Sequence, residues 1–216
     1  FSIKLFKERN REQDEKNQLE KQKLQAELDA LKGQLNAHFL FNTLNNLYGL
    51  AKKKSEHAPA GILMLSDMLH FVLYECTQPA YPLQKELDFI NNYIELEKLR
   101  YGERLKIEKE EDLQHSEIRI APLLLFPFVE NSFKHGASKK KDKVWIRIRV
   151  TSTAQDLKFE VENNRYLEPS KDSLETGGLG LENVQKRLDI LYPGQHSLSI
   201  KSDDSTFSVC LNIHQD

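Results

Sequence analysis

The chain has 216 residues, a length that fits one large or two small domains and leaves ample material for a buried core. Lys and Arg total 31 against 33 Asp and Glu, a formal charge of −2, which argues against nucleic acid as a partner. With 39% hydrophobic and 30% charged residues, part of the chain is expected to pack and part to be extended and solvated.

Cys76 and Cys210 lie far apart without CxxC spacing, which speaks against a zinc site or a disulfide scaffold and for a reducing compartment. No apolar run reaches the ~18 residues of a membrane span. The chain opens abruptly at Phe1 without a methionine, so membrane contact is expected only through a preceding region.

From Lys7 to Lys32, Glu, Lys, Arg and Gln without Gly or Pro predict one long helix. Leu24, Leu28, Leu31 and Leu35 mark the seam of a short coiled coil, hence a homodimer; the alternative is a solvated helix packed on its own domain. Helix continues over Asn36 to Leu50, where His38, Asn42, Asn45 and Asn46 interrupt Phe39, Leu40, Phe41, Leu44 and Leu47. After a break at Lys52 to Pro59, apolar helices run from Ala60 to Cys76 and from Leu83 to Tyr101. Beyond Gly102 the pattern predicts a short strand at Leu105–Glu108 and a helix from Ala121 to His135, ended by Gly136. Strands at Val144–Val150 and Leu157–Val161, a polar loop from Asn163 to Glu175 and a helix at Leu179–Leu191 follow, with a closing hairpin of His196–Ile200 and Phe207–Ile213. The fold class is α+β, an antiparallel sheet with helices on one face, fed by helices.

Three patterns carry chemistry. At ~100° per residue, Leu124, Leu125, Phe128, Val129 and Phe133 fill an apolar arc while Glu130, Asn131 and Lys134 share another face. Oxygen ligands beside an amine suit Mg²⁺ and a phosphate chain, although an ordinary amphipathic helix with Lys134 and His135 in its last turn reads the same. Second, Thr176-Gly177-Gly178-Leu179-Gly180-Leu181-Glu182-Asn183 is a glycine-rich turn opening a helix. Its backbone N–H groups suit phosphate oxygens, but it lacks Walker spacing and follows no strand directly. Third, Gln34 to Asn42 places His38 near the leucine seam with Asn42 one turn later; His38 is either a packing histidine or a neutral imidazole nucleophile.

In this order the three patterns resemble the LytS/YehU-type sensor histidine kinases of two-component systems. The phosphoacceptor motif resembles Gln34 to Asn42, the asparagine box resembles Pro127 to Gly136, and the glycine box resembles Gly178 to Leu188. Leu83-Gln84-Lys85-Glu86-Leu87 through Tyr93-Ile94-Glu95 to Lys98-Leu99-Arg100-Tyr101 resembles the family's linker helix, to which the sequence assigns no chemistry. The resemblance implies that His38 accepts phosphate, with Asn42 and Glu130 beside the chemistry. Asn131 is the implied Mg²⁺ ligand, Lys134 a phosphate contact, and Gly178 and Gly180 the hinge of an ATP lid; His135, Asn163, Asn183 and Arg187 complete the ATP-binding set. It further implies the two-layer α/β sandwich shared by histidine kinase, gyrase and Hsp90-type ATPases.

Two departures stand out. Where relatives carry Asp-x-Gly-x-Gly to read adenine, this chain has Asn163-Asn164-Arg165-Tyr166-Leu167, and Ala37 stands where many members carry proline. The expected organisation is a signalling helix over residues 1–30, dimerisation and phosphotransfer helices over 31–102 and an ATP-binding domain over 103–216. The expected function is ATP-dependent autophosphorylation on His38 and transfer to an aspartate of a response-regulator receiver domain, in the cytoplasmic part of a bacterial plasma-membrane protein. The alternative is a phosphotransfer-deficient nucleotide-sensing or scaffold module signalling through its coiled coil.

Overall fold

The computed structural model describes residues 37–76, 78–114, 118–136, 143–164, 178–203 and 205–215. The expected opening helix with its leucine seam, and residues 165–175 of the expected polar loop, lie outside the described residues; Asn163 and Asn164, expected to open that loop, belong to a strand. The described chain divides into two compact units at Lys53–Lys54.

The first unit contains helix α1 (Ala37–Lys52). Phe39, Thr43 and Leu47 recur every four residues on one helix face and are buried, whereas Phe41, Leu44 and Tyr48 are 67%, 54% and 70% exposed.

The second unit begins with α2 (His57–His70), which widens into a π turn over Phe71–Glu75, closed by the Cys76 N–H donating to the Phe71 carbonyl at 3.1 Å. Helix α3 (Leu83–Tyr101) starts after Pro82 and stops at Gly102, whose φ of 60° favours glycine. Tyr81–Pro82 (β1) pairs with Arg119–Ile120 (β3).

The main sheet comprises β2 (Leu105–Leu113), β4 (Val144–Ser152), β5 (Asp156–Asn164), β6 (His196–Ser202) and β7 (Thr206–His214), ordered β2-β4-β5-β7-β6. Strands β4–β5, β5–β7 and β6–β7 pair antiparallel, the first and last of these pairs through short hairpin connections. The expected all-antiparallel sheet is corrected at one edge: β2 lies parallel to β4, from Leu105 opposite Val144 to Leu113 opposite Ser152. The helical connection between them allows this, because parallel neighbours need a long crossover. Helix α4 (Phe126–Gly136) sits in that crossover.

Alternation decides the two faces of the sheet. Val144, Ile146, Ile148 and Val150, with Leu157, Phe159 and Val161 and with Val209, Leu211 and Ile213, point inward and are buried. Helix α4 covers them, Phe128 meeting Phe159 at 6.1 Å between ring centroids, and α5 (Gly178–Leu191) adds Val184 and Leu188. On the opposite face Arg147 bridges Glu108 and Glu162 at 3.0 and 3.2 Å, and Arg149 bridges Glu110 and Glu160 at 2.8 and 3.5 Å. Helix α3 joins the core through rings: Phe89 and Tyr93 stand edge-on to Phe126 at 4.9 and 5.0 Å, and Tyr93 to Phe133 at 5.3 Å.

The helix expected from Ala121 begins instead at Phe126. Pro127 lacks an N–H and suits a first helical turn, not an interior one. The residues ahead of it form a turn in which Leu123 takes the left-handed conformation (φ 51°).

Candidate functional site

Helix α4 carries four of the expected site residues, Glu130, Asn131, Lys134 and His135. Its inner face, Phe128, Val129, Ser132 and Phe133, is buried, and Ser132 Oγ donates to the Phe128 carbonyl at 3.0 Å. Glu130 and Asn131 are half-buried at the border of that face, and Lys134 is exposed. Helical spacing puts these three residues within about one turn of one another, while the apolar arc packs against the sheet. The side chain of His135 lies outside the described residues.

Asn163 continues the inward alternation of Leu157, Phe159 and Val161 and is 0% exposed. Its Nδ2 donates to the Asn164 carbonyl at 2.8 Å, while its Oδ1 is buried with no hydrogen-bond partner among the described residues. A buried acceptor without a donor is costly, roughly 1–3 kcal/mol. It fits a ligand amino group, the demand expected of an adenine reader. Asn164 is spent on structure: its Oδ1 accepts from the Trp145 N–H and its Nδ2 donates to the Lys143 carbonyl.

In α5, Gly180 and Asn183 are exposed near the helix start, and a Cβ at Gly180 would meet nothing within 4 Å. Gly178 opens the same helix. Arg187 departs from expectation. It is 2% exposed, and its Nη1 and Nη2 donate to the carbonyls of Leu123 and Pro122 at 3.1 and 2.7 Å, so it holds the turn before α4 rather than facing a phosphate. In the first unit, His38 and Asn42 both lie on α1, Asn42 half-buried.

Sequence reasoning missed two acids on α3. Glu86 is fully buried; its Oε1 accepts from the Leu125 and Phe126 N–H groups at 2.7 and 3.0 Å, and the Tyr81 hydroxyl donates to its Oε2. Burial pushes its carboxyl up, against the pull of those donors and of the Arg187 charge. Glu97 is 2% exposed, facing Glu130. Arg100 Nη2 lies 2.9 Å from its Oε2, close enough for charge attraction but not aligned as a hydrogen bond. Burial, with Glu130 adding repulsion against the pull of Arg100, raises Glu97 from 4.5 to about 7. The available signal was position: both acids fall in the linker segment that carried a resemblance without a role.

The Glu97 shift has a pH sign. A folded value above the unfolded one means that its contribution is fully present below about pH 4.5 and lost as pH rises through about 7. Glu97→Gln cannot ionise and should remove a decline on the order of 2 kcal/mol, read as urea midpoints at about pH 5 and about pH 8.

A histidine kinase family model matches residues 26–105. The sensor protein LytS of Bacillus subtilis is 33% identical over 188 residues, covering 82% of this chain and 32% of the relative. The sensor histidine kinase BtsS of Escherichia coli is 30% identical over 195 residues, covering 88% of this chain and 34% of the relative. Among solved structures, the histidine kinase domain of the Erythrobacter litoralis blue-light activated kinase overlaps at TM-score 0.45 and 14% identity, over 76% of this chain and 82% of that one. The chain spans about a third of the length of the curated relatives it matches. Matched over four-fifths or more of its length by these sensor kinases, the chain belongs to the LytS-type family of sensor histidine kinases.

Proposed function

We propose that the chain is the kinase region of a two-component sensor, which transfers the γ-phosphoryl group of ATP to His38 and from there to an aspartate of a response-regulator receiver domain. The observation that carries this reading is the 30–33% identity to sensor kinases across four-fifths or more of the chain. The same relatives give no support to a phosphotransfer-deficient scaffold. Residues 1–30 would serve as the signalling helix, 31–102 as the dimerisation and phosphotransfer helices and 103–216 as the ATP-binding domain. A region preceding Phe1 would tether it to the cytoplasmic face of a bacterial membrane.

The residues fit the substrate. Asn163 offers its unpaired acceptor to the adenine amino group, and Lys134 offers an exposed ammonium to phosphate. A magnesium ion would be held by the Asn131 amide oxygen together with phosphate oxygens, balancing charge on the transferred group. An imidazole nitrogen of His38 attacks the γ-phosphorus, the bond to the bridging oxygen breaks and ADP leaves. Phe39, not an acid, follows His38, so the ring relies on its own basicity or on a residue from elsewhere in the protein. Labelled ATP should leave an acid-labile, base-stable label on the chain; absence of label overturns the reading.

A second copy is the proposed occupant of the apolar surface on α2 and its π turn, where Ile62, Leu63, Leu73 and Tyr74 are 53–67% exposed. Each leucine that becomes buried contributes about 1.5–3 kcal/mol. Leu63→Lys with Leu73→Lys should convert a dimer to a monomer by sedimentation, and an unmodified chain that is monomeric at high concentration counts against the pairing.

A further inference from the structure

The turn before α4 is held almost entirely by side chains from elsewhere. The Ala121 N–H donates to the Tyr192 hydroxyl at 2.8 Å, and the Leu123 N–H to the Tyr81 hydroxyl at 3.1 Å. The Pro122 and Leu123 carbonyls accept from Arg187, and the Leu125 and Phe126 N–H groups are capped by Glu86. Leu123, a γ-branched residue at φ 51°, is thus pinned at both its N–H and its carbonyl. Such a conformation persists only where surroundings over-determine it.

Two separate elements converge on this turn: the β1–α3 junction, with Tyr81 and Glu86, and the helix that begins with the glycine box, with Arg187. Tyr81 joins the two sides, accepting from Leu123 and donating to Glu86. The turn in turn fixes where α4 begins, and Asn131 and Lys134 lie one to two helical turns further on.

We infer that Tyr81, Glu86 and Arg187 are positioning residues that clamp the turn at 121–126, so that the linker helix, the asparagine-box helix and the lid helix are set as one unit for phosphoryl transfer. This rests on the kinase reading and adds to it a task for the linker segment. The clamp acts on the α4 end of the site, while Asn163 belongs to β5. Loosening it should therefore disturb triphosphate and metal contacts and spare base contacts.

The test uses the whole chain with Mg-ATP and adenosine as probes. Tyr81→Phe and Glu86→Leu should each weaken Mg-ATP binding roughly five-fold and lower autophosphorylation, with adenosine affinity within about two-fold of the parent. Amide exchange at Leu123, Leu125 and Phe126 should quicken in both variants. Glu86→Gln, which keeps an acceptor oxygen for the helix cap, should restore most of the Mg-ATP affinity. If the variants bind Mg-ATP as the parent does, or lose Mg-ATP and adenosine equally as the fold melts, the clamp has no positioning role. A parent chain that binds no Mg-ATP overturns both the kinase reading and this inference.

Discussion

Replacing His38 by glutamine should abolish labelling of the chain by ATP, a fall of at least ~10³-fold, while nucleotide affinity stays within about two-fold, because the nucleophile is removed and no binding group is touched. His38 lies in the first compact unit, whereas every proposed nucleotide contact lies in the second. Several of the other histidines are committed elsewhere. His196 Nδ1 contacts the Tyr192 carbonyl at 2.8 Å and its Nε2 lies 3.3 Å from Asp189; His214 pairs with Asp156 at 2.9 Å, and His70 faces Glu75 at 3.7 Å. Label that persists on His38→Gln would move the acceptor to another side chain.

Asn131→Ala and Asn163→Ala should fail in different ways. The first removes the proposed metal ligand, so affinity for Mg-ATP should fall by more than about ten-fold while adenosine binds as before. The second removes a neutral acceptor worth about 0.5–1.5 kcal/mol, so its several-fold defect should appear equally with Mg-ATP, metal-free ATP and adenosine. Asn163→Asp supplies a charged acceptor at the same place and should preserve or tighten binding. Calorimetric titration with the three ligands separates the patterns. An Asn163→Ala chain that binds adenosine like the parent would mean that the unpaired Oδ1 has another purpose.

The sheet strands and the amphipathic character of α4 were legible because they depend on local periodicity. Val144 to Val150 alternates by twos, and Glu130, Asn131 and Lys134 follow from helical spacing alone. The parallel pairing of β2 was not, since LKIEKEEDL carries few apolar residues and is defined as a strand by its partner β4. The start of α4 was also obscured: Ala121 to Leu125 is apolar enough to read as helix, and only the combination of Pro127 and the external caps from Glu86 and Arg187 makes it a turn. Arg187 illustrates the general difficulty. Nothing in Val184-Gln185-Lys186-Arg187-Leu188 tells an inward guanidinium from an outward one, because its partners are backbone carbonyls more than 60 residues away.

The two open edges of the main sheet bear on how many copies can join. Strand β2, one of those edges, presents Lys106, Glu108, Lys109, Glu110, Glu111 and Asp112 within nine residues. A strand so charged is a poor template for another chain's strand, because edge-to-edge addition would crowd like charges and desolvate them. In the proposed dimer, assembly through the apolar helix faces would thereby be kept finite, because the sheet offers no adhesive border along β2 on which a fibre or higher array of copies would grow.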